Sequence, residues 1–116
     1  MAGQLTIDTL KAGSGVLATQ NGMTGIAKAW VNFAGSTGAI NGTSFNVSSV
    51  TRNSTGQYTV NFTTAMPNAN YCATFNNANG ARFTWFDTFT TTSINCYCNS
   101  SGYADVPTNC LAILST

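Results

Sequence analysis

The stretch SFNVSSVTRNSTGQYTVNFTTAMPNANY, residues 44–71, holds the clearest strand pattern of the chain. In its second half, the apolar residues Tyr58, Val60 and Phe62 alternate with polar residues. This period of two is typical of a β-strand with one buried face. Burying each of the three side chains contributes roughly 1.5–3 kcal/mol, so a register slip of one residue would be costly. We therefore expect a strand with a fixed register.

The first half of the stretch predicts a partner strand. Phe45 and Val47 share one face, but Val50 has the opposite parity, which indicates a bulge or a bend. The polar run 52–56 ends in Gly56, at a point where hairpin loops of three to five residues often need a left-handed backbone. We therefore expect a hairpin.

Similar strand-like runs occur before and after this hairpin. One precedes it, IAKAWVNF at 26–33, and four follow it, at 71–75, 81–90, 93–98 and 109–115, with turn residues between them. No segment has the periodicity of a helix. Short strands at this spacing predict an all-β fold, an antiparallel β-sandwich or a barrel-like sandwich.

The first part of the chain differs from the rest. Residues 1–25 are rich in glycine and contain one short alternating piece, with Leu5 and Ile7 on one face and Leu10 at its end. We interpret this segment as an extended amino-terminal arm. Residues 26–116 then form the β-sandwich domain.

The run 83–89 is apolar on both of its faces. One face has four side chains: Phe83, Trp85, Asp87 and Phe89. Phe86 lies on the other face. Such a strand suits a position with the core on one side and a neighbouring subunit or a binding platform on the other.

The charge content argues against catalysis. Only 6% of the 116 residues are charged, the net charge is +1, and there is no histidine and no glutamate. The side-chain carboxylates are Asp8, Asp87 and Asp105, and an active carboxylate pair would need two of them to meet in the fold. We expect a non-enzymatic protein. A net charge near zero also favours association.

The remaining motifs predict no cofactor. Cys96 and Cys98 share a strand face, but their spacing from Cys72 and Cys110 is unlike that of zinc sites, so buried free thiols are favoured over bound zinc. Lysine and arginine are scattered, which predicts no nucleic-acid partner. No signal peptide and no apolar run of about twenty residues is visible, so no membrane insertion is expected.

The phrases KAWVNF, SFNVSSVT and GQYTVNFTTAMPNANY follow one another in that order, with a Gly-rich break after the first. This series, within residues 26–75, resembles a module at the carboxyl ends of phage and prophage tail-fibre proteins. The resemblance implies a homotrimeric, β-rich virion part that touches the host surface. It also implies assembly in the host cytoplasm, with other phage tail or capsid proteins as partners.

Two alternative functions remain open. A capsid decoration protein, as a head fibre or cement protein, would use the same fold. A carbohydrate-binding module would use Trp85 or Tyr103 as a stacking platform, although such aromatic residues more often lie in a core or a subunit interface.

Two loops and the arm are the predicted contact regions. Polar, glycine-bearing turns can vary without disturbing a sheet, so we expect host contacts, to a surface glycan or protein, at the loops 76–80 and 99–107. The candidate residues for host contact are Asn76, Asn77, Asn79, Gly80, Ser100, Tyr103 and Asp105. Leu5, Ile7 and Leu10 are the candidates for anchoring the arm to the virion.

Overall fold

The structure, a computed structural model, describes Gly3 and residues 27–78, 83–99 and 102–115. Within these residues the chain forms seven strands and no helix. The strands are β1 (Ala27–Phe33), β2 (Val47–Ser54), β3 (Gln57–Phe62), β4 (Cys72–Asn77), β5 (Phe83–Asp87), β6 (Ser93–Asn99) and β7 (Asn109–Leu114). The predicted amino-terminal arm lies outside the described residues, apart from Gly3.

The strands form two antiparallel sheets that pack as a sandwich, which confirms the predicted fold class. One sheet has three strands in the order β1-β7-β4, and the other has four in the order β2-β3-β6-β5. The last strand, β7, is therefore the centre of the smaller sheet, between β1 and β4.

The core lies between the sheets and follows the alternation in the sequence. In β3 the predicted inward residues Tyr58, Val60 and Phe62 are buried, and their polar neighbours are partly exposed. The same alternation buries Ile94, Cys96 and Cys98 in β6, and Leu111 and Ile113 in β7. A period of two thus places one face of each strand in the core.

Two irregularities shape the hairpin of β2 and β3. The register shifts between Val47 and Ser49, which confirms the predicted bulge and lets both Val47 and Val50 face the core. Gly56 has a φ of 66°, as predicted for the turn. The predicted loop at 52–56 is shorter than expected, because pairing continues to Ser54 and leaves two turn residues.

Two strands are shorter than their sequence patterns suggest. Phe45 pairs with Trp30 only in an isolated bridge, because Asn46 has a φ of 55° and β2 begins after it. Strand β5 ends at Asp87, where Thr88 has a φ of 48° and turns the chain. Phe89, expected on the face of Trp85, instead packs its ring on Phe86 and Tyr71. The expected position of Phe89 was therefore wrong.

Candidate functional site

The candidate site lies on the outer face of the four-stranded sheet. Trp85 of β5 and Tyr97 of β6 are direct partners in the antiparallel register. Both point away from the core, because their neighbours Phe86, Cys96 and Cys98 point towards it. The two rings are stacked, with centroids 5.3 Å apart and planes 7° apart.

A third ring reaches this pair from a loop. The Tyr103 ring lies 5.8 Å from that of Trp85 and 6.3 Å from that of Tyr97, measured between centroids. Tyr103 is 46% exposed and Trp85 is 37% exposed. We call Trp85, Tyr97 and Tyr103 the aromatic cluster. Phe83, two residues before Trp85 on the same strand face, is 76% exposed.

Asp105 holds the loop that carries Tyr103. Its Oδ2 accepts hydrogen bonds from Nε and Nη2 of Arg52 at 3.1 and 2.7 Å, and the second contact is also an ion pair. Its Oδ1 accepts hydrogen bonds from the backbone N–H of Gly56 at 2.9 Å and from the hydroxyl of Tyr58 at 2.8 Å. The carboxylate thus joins the loop to the β2-β3 hairpin, two residues after Tyr103.

Backbone contacts hold the same loop close to the hairpin turn. The N–H of Ala104 donates to the carbonyl of Cys98 at 3.2 Å, and the N–H of Cys98 donates to the carbonyl of Gly56 at 2.9 Å. A Cβ atom at Gly56 would lie 2.4 Å from the Cys98 carbonyl oxygen and 2.7 Å from the Ala104 nitrogen. Glycine is therefore required here by space as well as by its positive φ.

The electrostatics of this anchor favour an ionised Asp105. Burial raises the pKa of Asp105, but hydrogen bonds from Arg52, Gly56 and Tyr58 outweigh it, so the pKa is lowered overall. Burial, together with the hydrogen bond to Asp105, raises the pKa of the Tyr58 hydroxyl and keeps it protonated as a donor. These groups form a partly buried hydrogen-bond network that supports the loop.

A second carboxylate lies beside the aromatic cluster. The hydroxyl of Tyr97 donates a hydrogen bond that is shared between the two carboxylate oxygens of Asp87, each 3.1 Å away. Partial burial and this contact raise the pKa of Tyr97. Asp87 is itself exposed and lies opposite Asn95 in the register.

A row of polar side chains runs from Asp87 across the sheet. Next to it is Asn95, whose Oδ1 accepts a hydrogen bond from the Thr59 hydroxyl at 2.8 Å. The hydroxyl oxygen of Thr59 in turn accepts a hydrogen bond from the side-chain amide of Asn53 at 2.8 Å. We call Asp87, Asn95, Thr59 and Asn53 the polar row. It runs parallel to the cross-strand pair of Trp85 and Tyr97.

The structure brings some of the predicted contact residues together and separates others. Tyr103 and Asp105 lie at the site, and Asp105 has an internal structural role there. Asn76 and Asn77, predicted in a loop, are the last residues of strand β4, and Asn77 donates to the Cys98 sulfur at 3.6 Å. The other host-contact and arm candidates lie outside the described residues: Asn79, Gly80, Ser100, Leu5, Ile7 and Leu10.

Sequence reasoning did not select Tyr97 or the polar row. Tyr97 lies between two buried cysteines, so the alternation in β6 predicts that its side chain points outward. The alternation does not predict which residue of a neighbouring strand lies beside it. The pairing with Trp85 follows from the β5-β6 register. A search for outward aromatic residues on consecutive strands would have found both.

The cysteines divide between the core and the surface. Cys96 and Cys98 are buried as expected, whereas Cys72 and Cys110 are exposed, so the prediction of burial was wrong for this second pair. All four are free thiols, and burial raises the pKa of Cys96. No group of three or more metal-ligating side chains is found in the described part of the chain.

The opposite outer face, on the three-stranded sheet, has a different character. Its outward side chains are Trp30, Asn32, Cys72, Thr74, Asn76, Cys110, Ala112 and Leu114. None of them is charged, and Trp30 and Leu114 are 42% and 41% exposed. An open groove of about 300 Å³ lies along this face and is lined by residues of all three strands. We call this surface the uncharged face.

Comparison of the chain with protein-family models, with curated proteins and with solved structures gave no match. Nor does the described part of the chain include a helix of the length and apolarity needed to cross a bilayer.

Proposed function

We propose that this chain is a non-enzymatic structural protein of a phage virion, a tail-fibre-like module that assembles as a homotrimer and contacts the host surface. The ordered phrases shared with tail-fibre modules, within residues 26–75, support this function. The observation that carries its assembly is the uncharged face, which exposes Trp30 and Leu114 and whose described outward side chains are all uncharged.

The uncharged face suits contact with further copies of the same chain. Charged residues are depleted at the centres of subunit interfaces and aromatic residues are enriched there. Ala112, on the central strand β7, pairs with Trp30 on one side and Thr74 on the other, so it lies in the middle of this face. Association would bury the apolar groove beside it.

The oligomeric state tests this part of the proposal. Light scattering of the purified protein at micromolar concentration should give three times the monomer mass of 12.1 kDa. Ala112→Arg should yield folded monomers, because it would bury an unpaired charge in the interface. Thr51→Arg, at an exposed position of the other sheet, is the matched control and should remain trimeric. A stable wild-type monomer would overturn the trimer.

The place of the protein in the particle needs a separate test. Immunogold labelling of intact virions should decorate the tip of the tail, and purified protein should compete with phage for adsorption to host cells. Label confined to the capsid, without such competition, would replace host recognition with a capsid decoration function.

A further inference from the structure

We infer that the outer face of the four-stranded sheet binds a neutral saccharide, which stacks a sugar ring on the aromatic cluster and directs its hydroxyl groups to the polar row. The inference rests on the proposed function only in naming the host surface as the source of this glycan. The site consists of Trp85, Tyr97 and Tyr103 with Asp87 and Asn95 beside them.

The spacing of the rings defines how a ligand can approach. The three centroids lie 5.3 to 6.3 Å apart, so the rings are in van der Waals contact with one another. Because the rings contact one another, no aromatic cage that could enclose a quaternary ammonium group lies between them. The stack covers one face of Trp85, so a ligand must use the ring surface that remains exposed on Trp85 and Tyr103.

The neighbouring polar row supplies the complementary chemistry. Residues two apart on a strand lie roughly 7 Å from each other on the same face, so Asp87 is one such step from Trp85. A carboxylate and an amide at this distance can accept and donate hydrogen bonds to ring hydroxyls. A sugar ring has an apolar face with hydroxyl groups at its edge. The aromatic cluster can contact the apolar face while the polar row binds the hydroxyl groups.

The charge of the site favours a neutral sugar over an acidic one. Asp87 brings a negative charge to the site. Of the described cationic side chains, Lys28 is buried and Arg52 is bonded to Asp105. An anionic sugar would therefore be repelled by the Asp87 carboxylate.

Tryptophan fluorescence of the assembled protein can test this site directly. The chain has two tryptophans, so in a Trp30→Phe background the emission comes from Trp85 alone. The probes are a panel of neutral oligosaccharides of glucose, galactose, mannose and N-acetylglucosamine, with sialyllactose and choline chloride as charged comparisons. We expect at least one neutral probe to shift the emission in a saturable way.

Variants then connect binding to the aromatic cluster. In glycan-array or calorimetric measurements, Trp85→Ala and Tyr103→Ala should each weaken binding by about tenfold, because each removes a stacking ring. Ser48→Ala is the control, since Ser48 is exposed on β2, at the opposite edge of the sheet from β5, and it should leave the affinity unchanged. Circular dichroism should show that all three variants keep the β fold.

Three outcomes would overturn the inference. These are no neutral saccharide bound by the wild-type protein, binding unaffected by both ring variants, or a preference for choline or sialyllactose that depends on Trp85. A virion-located trimer that fails this test would keep the proposed function and lose the saccharide site. Saccharide binding by a protein that is monomeric and absent from virions would keep the saccharide site and overturn the proposed function.

Discussion

The two outer faces of the sandwich use the same alternating strands for different surfaces. On the three-stranded sheet, Trp30 and Leu114 are exposed among uncharged side chains, and an open groove lies along the surface. On the four-stranded sheet, Trp85 is packed against two tyrosines, and a carboxylate with hydrogen-bonding side chains lies beside it. One tryptophan is thus exposed on an uncharged surface, and the other belongs to a packed aromatic cluster.

The loop that ends at β7 links these two surfaces. Tyr103 contributes its ring to the aromatic cluster, and Asp105 fastens the loop to the β2-β3 hairpin. The next residue, Val106, is buried, and three residues further on β7 begins and runs through the centre of the other sheet. Substitutions in this loop should therefore affect the aromatic cluster more strongly than they affect the uncharged face.

The largest effect is expected from a charge in the shared core. Val60 is fully buried on β3, so Val60→Asp would place a carboxylate in the apolar space between the sheets. This should cost more than about 4 kcal/mol and remove both surfaces by preventing folding. Circular dichroism and urea unfolding measure the effect. Thr51→Asp, exposed on the neighbouring strand, should fold normally, and a folded, assembled Val60→Asp protein would contradict the assignment of the inner face.

An intermediate effect is expected from Asp105→Asn. The substitution removes the ion pair with Arg52 and weakens the acceptor for Tyr58 and Gly56, which should lower the free energy of unfolding by on the order of 1–3 kcal/mol. Chemical denaturation at neutral pH measures this loss. Asp87→Asn is the matched control, because Asp87 is exposed, and its effect should stay within about 0.5 kcal/mol. Equal losses in the two variants would refute the anchoring role of Asp105.

Acid should erase the difference between wild type and Asp105→Asn. The pKa of Asp105 is lower in the folded protein than in the unfolded chain, where it is about 3.9. Its contribution to stability is therefore complete above that value and is lost as the pH falls through the lowered pKa of the folded state. The stabilities of the two proteins should begin to converge below about pH 4 and become equal below the lowered pKa of the folded state. A gap that stays constant into strong acid would show that the carboxylate charge is not responsible.

The smallest effects separate the two tryptophans. Trp85→Ala should reduce stability by about 0.2–1 kcal/mol at every protein concentration, because it removes a stacked cross-strand pair with Tyr97. Trp30→Ala should reduce stability in a concentration-dependent way, because Trp30 lies in the proposed trimer interface. Thermal unfolding over a hundredfold range of concentration distinguishes the two. The comparison between the faces would fail if both variants showed the same dependence on concentration.

Local patterns were sufficient for most of the strands. The alternation of Tyr58, Val60 and Phe62 and the wrong parity of Val50 predicted the inner face and the bulge correctly, because side-chain direction in a strand depends on adjacent residues. The expectation for Phe89 was wrong because the left-handed backbone of Thr88 interrupts the period, and threonine rarely adopts that conformation.

The candidate site depended on contacts that no local pattern contains. Trp85 and Tyr97 meet because β5 pairs with β6 in one particular register, and Tyr103 joins them because Asp105 binds groups on the β2-β3 hairpin about fifty residues earlier in the chain.

The inward and outward faces of the strands were already encoded in the order of apolar and polar residues, since a period of two is a property of each strand alone. The identity of the surfaces was not, because it depends on which strands become neighbours. Packing β7 between β1 and β4 created the uncharged face, and pairing β5 with β6 beneath an anchored loop created the aromatic cluster. Both results come from free energies of burial and hydrogen bonding between residues that are distant in sequence.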